Sequence, residues 1–286
     1  MPLSTAMVGK RTRRFRHEVD ARWLMSYAAG LGETAACYFD TTQPLASHPL
    51  FPVCIEWPVV LDSRNIEGAR HLTAAESARG VHATHDLQIH RPVRAGEELF
   101  TVGTVVAIEA RRPGAYQLTR FETTDASHKP VATTYQGSLF RGVAVEGDAR
   151  AIDSVPALPA SSSAAGGESI AVWVPANAAH VYTECARIWN PIHSDRAVAL
   201  AAGLPDIILH GTATLALAVS ALIRRRLGND PRRVSRIVGR FAAMVSMPNE
   251  LDVRVECSNA DGVWFDVSTQ QGDIAVRDGF IGISPA

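Results

Sequence analysis

Hydrophobic and polar positions follow the same order twice along the chain. In each copy a helix comes first, and Asp20 and Asn177 stand where these two helices would begin. Gly30 and Gly32 would end the first helix. The positions with helical spacing are Trp23, Leu24, Tyr27, Ala28 and Leu31 in the first copy and Val181, Cys185, Ile188 and Trp189 in the second.

A longer apolar segment follows, from Pro49 in the first copy and from Asp206 in the second. The second segment is apolar nearly all round, which predicts a helix buried against a sheet. Alternating β-rich sequence comes next in both copies, with turns predicted at residues 126–130 and 271–273. Since a buried helix followed by antiparallel strands is an α+β unit, we expect two such units and not a Rossmann or TIM-barrel chain.

A stretch of small and flexible residues at 155–169 separates the two copies. Such residues bury too little apolar surface to order themselves, so this stretch is the predicted linker. The predicted domains are therefore 1–150, a linker at 151–169, and 170–286.

Composition narrows the range of partners. The net charge of -1 over 286 residues gives no basic excess for nucleic acid or an anionic membrane, and neither is an expected partner. The four cysteines lie far apart, so we expect free thiols and no metal site. Without an apolar stretch long enough to span a membrane, a cytoplasmic location is expected. An arginine-rich transit peptide competes with a first strand around Phe15 and Val19 as the interpretation of the basic run at residues 10–16.

The densest polar cluster lies in the second copy. Pro191 is expected to break the preceding helix, which would leave Asn190 and His193 on an irregular segment. His210 and Gly211 fall at the predicted start of the buried helix, where free backbone N–H groups favour a negative charge. Singly, such residues are more typical of turn geometry than of catalysis. Together, a histidine beside an N–H donor could serve a thioester whose oxygen becomes an enolate.

This cluster resembles the signature of the MaoC-like, hydratase 2 family of acyl-CoA hydratases. The family pattern reads G-D-x-N-P-[LIV]-H, followed downstream by [IL]-x-H-G at the start of a helix. Residues 190–193 match the N-P-x-H half, and residues 208–211 match the second half. The resemblance implies two hotdog units in one chain, each an antiparallel sheet around a central helix, arranged as a pseudo-twofold double hotdog.

The resemblance extends into the first copy and into a late strand. Residues 80–83, with His82 and Ala83, look like the family's substrate-contacting turn, and residues 89–92 look like the strand after it. Arg240 and Phe241 match the start of a late strand whose Phe borders the acyl pocket in the family. The first unit would thus supply the acyl-pocket side. The substrate-binding residues implied are His82, Ala83, Ile188, Trp189, His210 and Phe241.

One position departs from the family pattern. The family's aspartate, five residues before the motif histidine, is Ile188 here, and the glycine before it is Arg187. An isoleucine cannot take up a proton, and loss of a general base typically costs about 10² to 10⁴ in rate. Glu184 and Asp195 are candidate replacements. Arg187 could instead pair with a phosphate of coenzyme A or with a carboxylate of an unusual substrate.

The resemblance implies a hydratase or dehydratase of fatty acid metabolism that acts on an acyl-CoA. His193 would be the general acid/base, Asn190 would orient the water or the histidine, and the Gly211 amide would bind the oxyanion. Coenzyme A would enter as part of the substrate, with no metal and no other cofactor, and a homodimer of double hotdogs is possible. Two alternatives stay open. Ile188 suggests a protein that binds acyl thioesters without catalysis, and hotdog units also occur in thioesterases.

Overall fold

The computed structural model describes residues 2–69, 72–160 and 167–284. Its residues fall into two compact units. The first unit comprises Met1–Glu18, Ile55–His90 and Glu98–Leu158, and the second comprises Val19–Cys54, Arg91–Glu97 and Pro159–Ala286. The units are therefore discontinuous along the chain, because residues 19–54 group with the C-terminal part and not with the rest of the predicted domain 1–150.

The predicted linker at 151–169 is only partly visible, because its residues 161–166 lie outside the described residues. Its two ends belong to strands, since Ala151 ends one short strand and Glu168 begins another. The domain boundaries themselves stay predictions.

The first unit contains an antiparallel sheet with a helix packed on it. The sheet has the order β2-β4-β5-β6-β3, with strands β2 (Phe15–Val19), β3 (Gly80–Ile89), β4 (Glu97–Arg111), β5 (Gly114–Asp125) and β6 (Pro130–Arg141). Short strands β1 (Leu3–Ser4) and β7 (Val145–Glu146) pair with each other, and β8 (Arg150–Ala151) pairs with β4. The helices are α3 (Pro52–Ser63) and α4 (Ala74–Ala78). A Cβ atom added at Gly103 of β4 would lie 3.2 Å from Val59, so α3 packs closely on the sheet.

The second unit repeats this plan. Its sheet has the order β10-β13-β12-β11-β9, with strands β9 (Glu168–Val174), β10 (Val234–Phe241), β11 (Asn249–Ser258), β12 (Gly262–Thr269) and β13 (Ile274–Ile283). Its helices are α1 (Ala21–Gly30), α2 (Ala36–Phe39), α5 (Ala178–Ala186), α6 (Arg196–Ala201) and α7 (Gly211–Arg226). Helix α7 is buried on almost every side, and its Leu215 packs against Gly239 of β10. The α+β prediction is confirmed.

Several local predictions are confirmed because they rest on local chemistry. The Asp20 side chain caps α1 by accepting a hydrogen bond from the Trp23 backbone N–H, and α7 begins at Gly211. Both predicted turns lie between strands, after Asp125 and after Thr269.

Three predictions about element bounds are wrong. Helix α5 ends at Ala186, before Pro191, so Ile188 and Trp189 are not helical. Residues 80–83 begin strand β3 and do not form a turn, because they pair with β6 across a register shift. Phe241 ends β10 instead of starting a strand, since the alternating pattern that marks this strand lies before it.

Helices α1 and α5 pack closely within the second unit. A Cβ atom at Gly30 would come within 2.7 Å of the Cβ of Cys185, so only glycine allows this approach. The contact brings a segment from the beginning of the chain against the motif-bearing segment.

No helix among the described residues is long and apolar enough to cross a membrane.

The core of the first unit contains a buried carboxyl group. Glu56 on α3 is 2% exposed, and its Oε1 accepts a hydrogen bond of 2.5 Å from the Thr134 hydroxyl on β6. Burial raises the pKa of Glu56 to about 7, and the Thr134 hydrogen bond opposes this shift. The folded unit therefore prefers the protonated carboxyl.

We expect Glu56 to destabilise the fold as the pH rises. Its pKa is above the unfolded value, so the folded state holds the extra proton, and stability falls between about pH 4.5 and 7. Relative to Glu56→Gln, the wild type should lose about 3 kcal/mol of unfolding free energy between these limits. Urea denaturation of both proteins at several pH values measures the difference. Parallel pH profiles would show that Glu56 ionises freely in the folded protein.

Candidate active site

The motif segment starts where helix α5 ends. Arg187 adopts a left-handed conformation (φ 58°) as the C-cap of α5, at the position where the resemblance expects a glycine. Its guanidinium carbon lies 4.1 Å from the centroid of the Trp23 ring on α1. This cation–π contact lies within the second unit and holds the Arg187 side chain against α1.

The next residues form a single 3₁₀ turn, Pro191–His193. Asn190 is its N-cap residue, and the Asn190 carbonyl accepts a hydrogen bond from the His193 backbone N–H at 3.1 Å. The proline therefore begins the turn that presents His193, instead of breaking a longer helix.

His193 is held in one tautomer. Its Nδ1 lies 2.8 Å from the carbonyl oxygen of Ile208, and a carbonyl can only accept, so the proton sits on Nδ1. The lone pair of the neutral ring is then on Nε2. Burial lowers the pKa of His193 to about 4, with the Ile208 carbonyl acting in the opposite direction. His193 is thus neutral at physiological pH, with Nε2 able to accept a proton.

His210 stacks on His193. The two ring centroids are 3.7 Å apart at an interplanar angle of 26°, and His210 is 2% exposed. Its Nε2 lies 3.4 Å from the hydroxyl oxygen of Thr183 on α5. Burial lowers the pKa of His210 well below its usual range, and the neighbouring His193 lowers it further. Two stacked imidazoles in this setting resist taking up even one proton.

Helix α7 begins at this pair of rings. His210 is the N-cap residue of α7, but its side chain makes no capping hydrogen bond. Among the described residues, no group accepts a hydrogen bond from the Gly211 amide. This N–H and the helix dipole favour an anion at the start of α7.

Phe241 lies against the start of α7. A Cβ atom at Gly211 would come within 3.1 Å of the Phe241 ring, so a glycine lets the aromatic ring approach the helix backbone. The structure therefore brings together His193, His210, Gly211 and Phe241, which are distant in sequence.

The carboxylates near the motif have other partners. Ile188 is 6% exposed and apolar, as the sequence indicates. Asp195 caps helix α6 by accepting hydrogen bonds from the backbone N–H groups of Ala197 and Val198. Glu184 lies on the exposed face of α5, where its Oε2 is 3.4 Å from the Trp189 indole nitrogen. Neither is positioned by any described contact to act on His193.

The remaining predicted residues lie elsewhere. Trp189 is 59% exposed. His82 and Ala83 belong to the first unit, where His82 Nε2 is 3.1 Å from the Thr84 carbonyl oxygen on the same strand. Their roles in substrate binding stay predictions.

Sequence reasoning missed a chain of hydroxyl groups behind this site. Tyr27 on α1, Tyr182 on α5 and Thr212 on α7 are connected by hydrogen bonds, and both tyrosines are at most 1% exposed. Helical spacing predicted Tyr27 as an apolar face residue. A buried tyrosine usually needs a partner for its hydroxyl, which was the available signal, but spacing alone does not identify the partner.

Among the described residues, no group of three or more His, Cys, Asp or Glu side chains could hold a metal ion.

Comparisons with known proteins agree with this architecture. Residues 172–278 match the family model described as MaoC like domain, and residues 6–134 match one described as FAS1-like, dehydratase domain region. A segment of 57 residues is 46% identical to the peroxisomal enoyl-CoA hydratase 2 of Arabidopsis thaliana. That segment is 20% of this chain and spans only 18% of the length of the relative.

Solved structures extend the likeness to nearly the whole chain. A MaoC-like dehydratase from Phytophthora capsici aligns with a TM-score of 0.85 and 21% identity, covering 98% of this chain and 97% of its own. The peroxisomal multifunctional enzyme type 2 of Drosophila melanogaster aligns with a TM-score of 0.76 and 19% identity, covering 96% of this chain and 48% of its own. At these identities the likeness establishes the fold. The chain therefore has the fold of these MaoC-like proteins, with two hotdog units in one polypeptide.

The state of His193 can be measured directly. Because its folded pKa lies below the unfolded value, we expect its ring resonances to titrate near pH 4 in the native protein. In the urea-unfolded chain they should titrate at about 6.5. A histidine NMR titration assigned with His193→Gln checks this. A native midpoint near the unfolded one would show that the ring is open to water.

Proposed function

We propose that this protein catalyses the reversible addition of water to the double bond of an enoyl-CoA thioester. One observation carries the proposal. The Ile208 carbonyl holds the proton of His193 on Nδ1, which leaves Nε2 as a base on a ring stacked against His210, the N-cap residue of α7. The match to enoyl-CoA hydratase 2 supports the substrate class.

In the proposed reaction, His193 does both proton transfers. Nε2 takes a proton from the water molecule while the water oxygen forms a bond to C3. The electrons of the double bond then move to the thioester oxygen, which becomes an enolate. The Gly211 amide donates a hydrogen bond to this enolate oxygen. His193 then returns the proton to C2. Asn190 orients the water, and Phe241 borders the acyl chain.

The low pKa of His193 affects the two proton transfers in opposite ways. A neutral ring is present to start the reaction at physiological pH but is a weak base, and the imidazolium formed next to His210 readily gives its proton to C2. Without a carboxylate at residue 188, the imidazolium has no charge partner among the described residues, which favours quick return of the proton but makes the first transfer harder.

A thioester-binding protein without catalysis is a second candidate, favoured by the apolar and buried Ile188. Such a protein would bind enoyl-CoA through Gly211 and Phe241 and leave the double bond intact. A thioesterase would release free thiol instead. One assay that follows both the conjugated double bond and the release of free thiol therefore separates the three candidate functions.

The first test is turnover of crotonyl-CoA. We expect loss of the conjugated double bond without release of thiol, and we expect His193→Ala to lower kcat by about 10² or more, since it removes the only proposed base. Acyl-CoA binding should persist. His128→Ala, in an exposed turn of the first unit, is the matched control and should keep full activity. Thiol release, or binding without turnover in the wild type, contradicts the proposal.

The second test restores the carboxylate. Ile188→Asp should place an acid/base group beside His193 and raise the rate with crotonyl-CoA about tenfold. Ile188→Asn, which is polar but cannot take up a proton, controls for the change in packing and should give no gain. Loss of a robust wild-type activity in Ile188→Asp alone would instead show that an apolar wall is required at this position.

A further inference from the structure

We infer that Tyr182 is a positioning residue for the proposed reaction, because its hydroxyl and ring together fix the start of α7 relative to the two histidines. The inference rests on the proposed function in one respect, which is that the Gly211 amide binds the substrate oxygen. It assigns a role to a side chain outside the N-P-x-H and H-G motif.

The hydroxyl of Tyr182 holds the first turn of α7. It donates a hydrogen bond of 3.1 Å to Oγ1 of Thr212, the residue after Gly211. Because the His210 side chain does not cap α7, this contact is a side-chain restraint on the turn that bears the oxyanion donor. A shift of this turn would move the Gly211 N–H with it.

The ring of Tyr182 holds the histidines. Its centroid lies 5.0 Å from that of His210, which stacks in turn on His193 at 3.7 Å. One buried side chain therefore contacts both the donor-bearing turn and the stacked pair. The distance between Nε2 of His193 and the Gly211 amide depends on both contacts.

Tyr27 orients the Tyr182 hydroxyl. The two phenolic oxygens are 3.3 Å apart, and since the Tyr182 proton goes to Thr212, Tyr27 must be the donor in this pair. Tyr27 is itself fixed in place, because its ring packs on His48, whose Nε2 lies 3.1 Å from the hydroxyl oxygen of Ser220 on α7. The hydroxyl groups therefore donate their hydrogen bonds in one direction, from Tyr27 on α1 to Tyr182 on α5 and on to Thr212 on α7. Each hydrogen bond polarises the next.

The contacts of Tyr182 can help to orient His193, which a carboxylate at residue 188 would otherwise do. With Ile188 in place of an acid, nothing charged among the described contacts orients His193. Rate then depends on geometry alone, and small displacements of reacting groups reduce rates strongly. Packing and neutral hydroxyl groups set that geometry here.

The decisive variant is Tyr182→Phe, which removes the hydroxyl and keeps the ring. We expect kcat to fall about tenfold while KM for crotonyl-CoA stays within about twofold, because the loss affects the transition state more than the bound substrate. Thr212→Val should give the same fall. If the hydrogen bond between Tyr182 and Thr212 is responsible, kcat of the double variant should also fall about tenfold. Two independent effects would instead lower it about a hundredfold. Tyr27→Phe should lower kcat by less.

Tyr38→Phe is the matched control. Tyr38 is a buried tyrosine of the same unit, 1% exposed, whose hydroxyl has no hydrogen-bond partner among the described residues. It should keep the wild-type kcat. An unchanged kcat in Tyr182→Phe, or an equal fall in Tyr38→Phe, would overturn the inference.

A second measurement does not need turnover. In the unliganded protein, exchange of the Thr214 amide, which bonds to the His210 carbonyl at 3.0 Å, reports opening of the first turn. We expect it to be about fivefold faster in Tyr182→Phe than in the wild type or Tyr38→Phe, the factor for one lost hydrogen bond. If the wild type hydrates no enoyl-CoA, the proposed function fails, while this exchange rate still decides the positioning role. Equal exchange in all three proteins would refute it.

Discussion

The arrangement of the candidate active site depends on one constraint, which is that helix α7 starts at a buried residue, His210, whose side chain does not cap it. The first N–H groups of a helix need partners, and the His210 side chain provides none. The surrounding residues hold this end from several sides instead. Phe241 packs on Gly211, Tyr182 bonds to Thr212, and the carbonyl of Ile208 holds His193 beside it. Among the described residues, nothing accepts a hydrogen bond from the Gly211 amide, which is the donor in the proposed reaction.

Burial also sets the charge of the site. His193 and His210 stack on each other and are largely shielded from water, so the pKa of each is lowered and both rings stay neutral. A charged acid/base pair would need an opposite charge nearby, and Ile188 offers none. The proposed hydration therefore relies on one base that gives its proton back quickly. This differs from the acid–base pair implied by the family resemblance, and it is the reason for the positioning role that we infer for Tyr182.

The second unit includes a segment from the beginning of the chain. Helix α1 packs on α5 through Gly30 and Cys185. In the same packing, Trp23 contacts Arg187, and the Tyr27 hydroxyl is bonded to that of Tyr182. Residues 19–54 therefore contribute contacts beside the motif of the second unit, although in the chain they lie between strands β2 and β3 of the first unit. Two repeat copies that follow each other in sequence need not each form one compact unit, because a compact unit is defined by contacts and not by chain order.

The sequence by itself determined the features that depend on neighbouring residues. The cap at Asp20, the turns after Asp125 and Thr269, the α+β class and the start of α7 at Gly211 were predictable, because helix caps, turns and hydrophobic periodicity act over a few residues. The resemblance grouped His193, His210 and Gly211, and the structure places these residues next to one another, while their roles stay predictions. The tertiary structure alone decided the tautomer of His193, the partners of Asp195 and Glu184, the position of Phe241 at the end of β10, and the hydroxyl chain from Tyr27 to Thr212. Each of these depends on which distant segment packs alongside and how much water it excludes, and no local pattern of residues encodes that distance or that burial.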